Sequence, residues 1–256
     1  MLSKESQTNK IIETAPDNTA QHIKVKRNEL KYYINYFDYF TLVNKLKYVL
    51  KADSHTNSSN LYNVKTLYFD SYDDECLSQK LSGLMYHKKY RMRIYNTSDE
   101  TVKFEIKNKI NNQIFKETAL ITKESAIKVI KGDFNELLEY NNDILNRIYA
   151  EFTTKAFRPV VMIDYVREAY LLEQFDIRVT IDKDLKCNNL NYDIFSKDIT
   201  MMPVMTDQKY ILEIKYNTYL PDYIKSMLQI EAFEKTSISK YAMSRRYFKT
   251  KQWEDN

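Results

Sequence analysis

The sequence predicts an α+β protein with a largely antiparallel sheet of about eight strands and helices available to cover its apolar faces. Two observations carry this. About eight short runs alternate with a period of two, and clusters of them are separated by runs of helical spacing. Five of the strand-like runs also carry charge on one parity and apolar residues on the other.

The elements follow in order. Residues 25–35 (VKRNELKYYIN) alternate as a strand, and Asp38 is read as the cap of a helix reaching Leu50 through Leu42, Val43, Leu46 and Val49. Residues 53–63 are polar and read as a loop. Residues 64–70 (VKTLYFD) form a strand, 73–81 a helical turn, and 89–95, 102–107 and 113–119 three strands, with Asn111-Asn112 turning the last two into a hairpin. Residues 122–130 and 142–156 are helical, the second with Ile144, Leu145, Ile148 and Phe152 on one face. Strands are expected over 159–172, 177–182 and 208–216, and helices over 221–228 and 238–248. No Pro, Gly or Ser-rich linker divides the chain. Residues 1–23 therefore read as a polar tail, 24–248 as one domain, and 249–256 as a short C-terminal tail.

Composition removes several function classes. The chain has 2 Gly in 256 residues, where average usage gives about 18. Gly83 and Gly132 are far apart, so neither a dinucleotide fingerprint nor a P-loop can be built. Net charge is +4, from 39 Lys+Arg against 35 Asp+Glu. That is low for a dedicated nucleic-acid binder. Cys76 and Cys187 match no zinc or redox spacing and read as buried thiols of a reducing compartment. No signal-peptide core and no membrane-length apolar run is present. A cytoplasmic protein is expected, with attachment to a membrane left to a separately encoded partner.

The charged parities are Arg27, Glu29 and Lys31; Arg91 and Arg93; Lys103, Glu105 and Lys107; Arg178, Thr180 and Asp182; Glu213 and Lys215. An antiparallel sheet with one wet face shows the same alternation. The residue choice points elsewhere, because Arg and Lys recur beside isolated acids on separate strands, and helices are available to cover the apolar faces. Closure would turn the charge inward, where a multiply charged anion and a bridging metal would relieve self-repulsion. Arg offers planar forks to phosphate oxygens, Lys offers point charges, and the acids suit Mg²⁺ or Mn²⁺.

Other residues attract less. His22, His55 and His87 have no partner at ligand or triad spacing. Met201, Met202 and Met205 read as core filler or a flap, the tyrosines as packing, and Arg245, Arg246, Lys249 and Lys251 as a solvated helix end.

At this level the chain resembles the polyphosphate polymerase domain of the vacuolar transporter chaperone (VTC) family, among the CYTH-like triphosphate tunnel metalloenzymes. The matching pieces run in order: RNELKY from Arg27, LYFDS from Leu67, YRMR from Tyr90, FEIK from Phe104, Lys116, Pro159 with YVREA from Tyr165, RVTID from Arg178, LEIK from Leu212 and SKY from Ser239. The resemblance implies a closed antiparallel eight-stranded β-barrel with a charged lumen and helices packed outside, a tunnel in which the γ-phosphate of ATP passes to polyphosphate, assisted by Mn²⁺ or Mg²⁺. Lys31, Arg91, Arg93, Arg178 and Lys215 would be catalytic. Lys107, Lys116, Arg167, Ser239 and Lys240 would bind the phosphate chain. Glu213 and Glu29 would hold metal.

One departure sharpens the reading. The broader superfamily opens with acid–x–acid–x–Lys, and Arg27 stands at the first acid. A hydrolase uses carboxylates to place metal and orient water, whereas a polymerase's nucleophile is a phosphate oxygen that is already ionised. A triphosphatase and a non-catalytic polyphosphate-binding module remain the competing readings.

Overall fold

A computed structural model of the chain describes residues 28–53, 60–98, 100–111, 113–205, 209–229, 233 and 236–254. The tail read over 1–23, Arg27, His22 and His55 lie outside the described residues.

Eight strands form one continuous antiparallel sheet: β1 (Asn28–Ile34), β3 (Leu61–Asp70), β4 (Tyr86–Tyr95), β5 (Val102–Ile110), β6 (Gln113–Ile121), β7 (Arg158–Leu172), β8 (Ile177–Asn188) and β10 (Tyr210–Tyr216). Their spatial order is β1-β10-β8-β7-β3-β4-β5-β6. Two short strands, β2 (Lys51–Ala52) and β9 (Met202–Pro203), pair with β7 and β8. The sheet curls strongly: Lys107 of β5, seventh in the order, lies 3.4 Å from Glu29 of β1, the first.

The helices are α1 (Tyr36–Val49), α2 (Glu75–Leu81), α3 (Lys123–Ile130), α4 (Asp143–Thr154), α5 (Asp222–Leu228) and α6 (Lys240–Glu254). They cover the apolar side in two groups. The larger core joins β3, β4, β5 and β7 to α3, α4 and α6, through residues such as Met92, Phe104, Val129 and Ile148. The smaller joins β1, β8 and β10 to α1 and α5 through Leu46, Val179, Ile214 and Ile224. In β4 the buried parity is Tyr90, Met92 and Ile94, which sends Lys89, Arg91 and Arg93 to the opposite face.

Several boundaries move for local reasons. The cap of α1 is Asn35, not Asp38. Asn35 Oδ1 accepts the Asp38 amide at 3.0 Å while Asp38 Oδ2 accepts the Asn35 amide at 3.2 Å, a reciprocal capping box. β8 runs six residues past Asp182 because a bulge opposite Asp164–Val166 and a left-handed Asp184 (φ 53°) shift its parity. A 3-10 turn over Phe134–Tyr140 fills the gap between α3 and α4. α6 continues to Glu254, past the helical pattern read as ending at Phe248.

Left-handed backbone is common despite the glycine shortage. Among the described residues ten non-glycine positions have positive φ, and seven of them are Asn or Asp. These side chains tolerate that region by bonding locally to the backbone.

Asp70 ends β3 and ties two helices together. Its Oδ1 accepts the amides of Ser71 and Cys76, and its Oδ2 accepts the Leu77 amide and the Tyr241 hydroxyl. It thereby caps α2 and anchors the first turn of α6, which carries Lys240. Arg245 bonds Asp74 at 2.6 Å and is buried. The solvated helix end read for this residue is therefore replaced by a structural contact. Cys76 and Cys187 are free and buried, and burial pushes the Cys187 thiol up to about 11.

Phe152 is the most connected ring of the larger core, meeting Phe69, Tyr90, Phe104, Phe134 and Phe157 at centroid distances of 4.6–5.7 Å. Phe152→Ala is expected to cost about 3–5 kcal/mol, measured as a fall in the urea midpoint at unchanged slope.

Candidate functional site

The charged parity of the curled sheet lines a cavity of about 80 Å³ that opens into a vestibule of about 510 Å³. Lys31, Arg91, Arg93, Lys107, Arg167 and Lys215 all reach the cavity. Ser239 and Lys240 reach it from the start of α6. The strand period thus delivers most of the predicted residues to one wall.

Glu29 and Glu213 are the carboxylates lining this cavity. β1 and β10 pair with Lys31 opposite Glu213 and Glu29 opposite Lys215, so the two strands present a checkerboard. Lys31 lies 3.2 Å from Glu213 and 3.6 Å from Glu29. Lys215 lies 3.0 Å from Glu213 and 3.8 Å from Glu29, and Lys107 adds its contact to Glu29 from β5.

Two further acids sit beneath the wall and aim the arginines. Glu105, fully buried, accepts Arg91 Nε at 2.7 Å and Lys116 Nζ at 3.1 Å, with Arg93 at 3.8 Å. Asp182 takes a two-pronged bond from Arg167, at 2.6 and 2.8 Å, and a Lys240 contact at 2.5 Å. A guanidinium gripped on one edge is fixed in direction while its remaining N–H groups stay available.

Two predicted residues stand apart. Arg178 is not in the cavity wall; it bonds Asp53 and donates to the Tyr62 hydroxyl at 2.9 Å. Lys116 is half exposed behind Glu105. Five wall residues lie outside the predicted set: Tyr68, Lys89, Tyr165, Ile238 and Tyr241. Lys89 has the same parity as Arg91 and Arg93 and lies within the strand read over 89–95. Tyr68 and Tyr165 also line the cavity, and no charge pattern marks them. The Tyr165 ring lies 4.9 Å from Lys240 Nζ and 5.3 Å from the Arg167 guanidinium, two cation–π contacts.

The electrostatics reflect burial against pairing. Burial opposes the Lys31 charge, yet Glu29 and Glu213 outweigh it and raise its pKa. Lys107 goes the other way: burial pushes it down to about 8, with Glu29 only partly compensating. Lys215 is also lowered, by burial against the pull of Glu213. Burial works against the Glu213 charge too, but Lys215 and Lys31 hold that carboxyl well below the usual range. Asp182 is held at about 2, since Arg167 and Lys240 overcome its burial.

Among the described residues no cluster of three or more His, Cys, Asp or Glu is placed to hold a metal ion. Glu29 and Glu213 nevertheless converge, and the buried Glu29 Oε1 accepts no hydrogen bond among the described residues. That donor set fits a hard divalent cation whose other ligands are phosphate oxygens. No helix among the described residues is long and apolar enough to cross a membrane.

Comparison with known proteins agrees with this geometry. No curated protein sequence matches. Among solved structures, HpAC1 of Hippeastrum, a candidate adenylyl cyclase described as having a dominant triphosphatase activity, superposes with a TM-score of 0.54 at 13% identity. The match covers 87% of this chain and 96% of that one, and shows a shared fold. A candidate adenylate cyclase of Bacillus halodurans matches with a TM-score of 0.47 at 11% identity, over 84% and 94% of the two chains. The VTC domain model matches residues 26–249. The chain belongs to the VTC domain family.

Proposed function

We propose that this protein is a polyphosphate polymerase that moves the γ-phosphate of ATP onto a polyphosphate chain inside a closed, basic tunnel. The observation that supports it best is the wall in which Lys31, Lys107 and Lys215 surround Glu29 and Glu213 while Arg91, Arg93 and Arg167 point into the same cavity.

Phosphoryl transfer needs alignment and charge neutralisation more than covalent help from the protein. Lys31, Lys107 and Lys215 hold neighbouring phosphates as point charges. Arg91 and Arg93, aimed by Glu105, stabilise the transferring group. Arg167 and Lys240, aimed by Asp182, bind the chain with Ser239. Arg178 holds phosphates beyond the cavity, and Lys116 supports Glu105 from behind. Glu213 and Glu29 would hold Mn²⁺ or Mg²⁺, which supplies charge neutralisation between phosphate oxygens when bound.

The acceptor follows from the bases present. Water as nucleophile needs a proton acceptor, and Glu213, held far below its usual range by Lys215 and Lys31, is a poor one. A phosphate oxygen needs none. Hydrolysis is the second reading, favoured by Lys107, whose amine near 8 is basic and partly neutral at alkaline pH.

One assay separates the readings. Purified protein is incubated with Mn²⁺ and ATP labelled at the γ-phosphate. Label in long acid-labile chains is expected; free phosphate would make it a hydrolase, and binding without turnover a polyanion-binding module. Arg91→Ala should lower turnover by on the order of 10²–10³. Its circular dichroism should be unchanged, because Glu105 keeps Arg93 and Lys116; normal activity in this variant would remove Arg91 from the mechanism.

Two binding predictions follow from the electrostatics. A triphosphate favours charged Lys107, so binding near pH 8 should take up protons and weaken as pH rises above 8. Calorimetry in two buffers of different ionisation enthalpy reads this directly. Glu213→Gln should weaken Mn²⁺ binding in the presence of tripolyphosphate by about tenfold or more, read from the paramagnetic resonance signal of free Mn²⁺.

A further inference from the structure

Every predicted tunnel cation has a carboxylate within 4 Å: Lys31, Arg91, Arg93, Lys107, Lys116, Arg167, Arg178, Lys215 and Lys240 alike. The vestibule differs. Lys80 of α2, Lys89 of β4 and Lys109 of β5 line it, and none of the three forms an ion pair among the described residues. Lys80 donates to Ser237 Oγ and Lys89 to Ser239 Oγ, both at 2.9 Å. Their partners are neutral hydroxyls, on one short segment crossing the mouth.

This difference matters energetically. An anion entering the interior displaces carboxylates from their cations and gains only the difference between two pairings. An anion in the vestibule meets uncompensated charge and displaces only hydroxyls. The repulsion is visible in the groups themselves. Burial lowers the Lys80 pKa, and Lys109 and Lys31 lower it further. Burial also lowers that of His87, against the pull of the Leu84 carbonyl, with Lys89, Lys109 and Lys80 adding to the fall. The vestibule is continuous with the inner cavity, sharing Lys31, Lys89, Lys107 and Ser239, and is the roomier of the two.

We propose that Lys80, Lys89 and Lys109 form a phosphate-chain subsite in the vestibule, which grips an inorganic polyphosphate beyond the phosphates held in the paired interior. The proposal rests on the phosphate-chain reading of the tunnel and extends it to chain length. A ligand spanning both regions gains the vestibule contacts without a second association cost, so long chains bind better than short ones.

The test uses the whole chain and measures binding alone, so a failure of polymerase turnover leaves it interpretable. Calorimetric affinities are taken for tripolyphosphate and for a polyphosphate of several times that length, with the wild type and Lys80→Gln/Lys109→Gln. The variant is expected to lose about tenfold for the long chain and less than threefold for tripolyphosphate, with its melting temperature retained or raised as repulsion is relieved. Lys215→Gln is expected to weaken both ligands. In parallel, the His87 ring protons are titrated by NMR, and the long chain should raise the His87 pKa more than tripolyphosphate does. Equal losses for the two ligands, no loss for the long chain, an unmoved His87, or equally tight binding of an oligonucleotide of matched charge would each overturn the proposal.

Discussion

Concentrated charge inside a sheet is tolerable only if each buried ion has a counter-ion, and the architecture follows from that constraint. Glu29, Glu105, Asp182 and Glu213 are all buried among cations. Without them the wall of Lys and Arg would repel itself and keep the sheet from curling. The curl in turn brings Lys107 from the far end of the strand order onto Glu29 of β1. The apolar parity, freed for the outside, is what α1, α3, α4, α5 and α6 cover.

The same pairing prepares the wall for an anion. Ammonium and guanidinium groups already held by carboxylates lose little further freedom when a phosphate arrives. The cost is competition, since a phosphate must share each cation with its resident acid. Lys107 shows where the compromise is least complete. It is half-buried, has Glu29 as its one carboxylate within 4 Å among the described residues, and lies near Lys31 and Lys215, so its proton is the most loosely held of the three.

Strand periodicity made most of this legible before any coordinates. Positions i and i+2 share a face, so the charged parities already contain most of the charged wall residues, together with Glu105 and Asp182 beneath them. That is why Lys31, Arg91, Arg93, Lys107 and Lys215 meet, whereas Arg167 is marked only by the family resemblance. Legibility failed where contact depends on the chain's return path. Asp53, the partner of Arg178, sits in a stretch read as a loop, and nothing local ties it to β8. Asp70 in the LYFDS motif was visible as a motif member, but its capping of α2 and its hold on Tyr241 need the tertiary path. The extension of β8 was hidden because a bulge breaks the alternation on which the reading depends. Lys89 was missed although its parity was plain.

The glycine-poor turns carry one more consequence. Ala156 holds φ 48° and Thr97 φ 56° with no local side-chain amide or carboxylate to favour that backbone. Each gives up of the order of 1 kcal/mol that glycine at the same place would return. Both lie outside the residues lining the cavity and the vestibule. The molecule thus keeps a reserve of recoverable heat resistance in its corners, open to an engineer who wants a hardier scaffold with the charged cavity untouched.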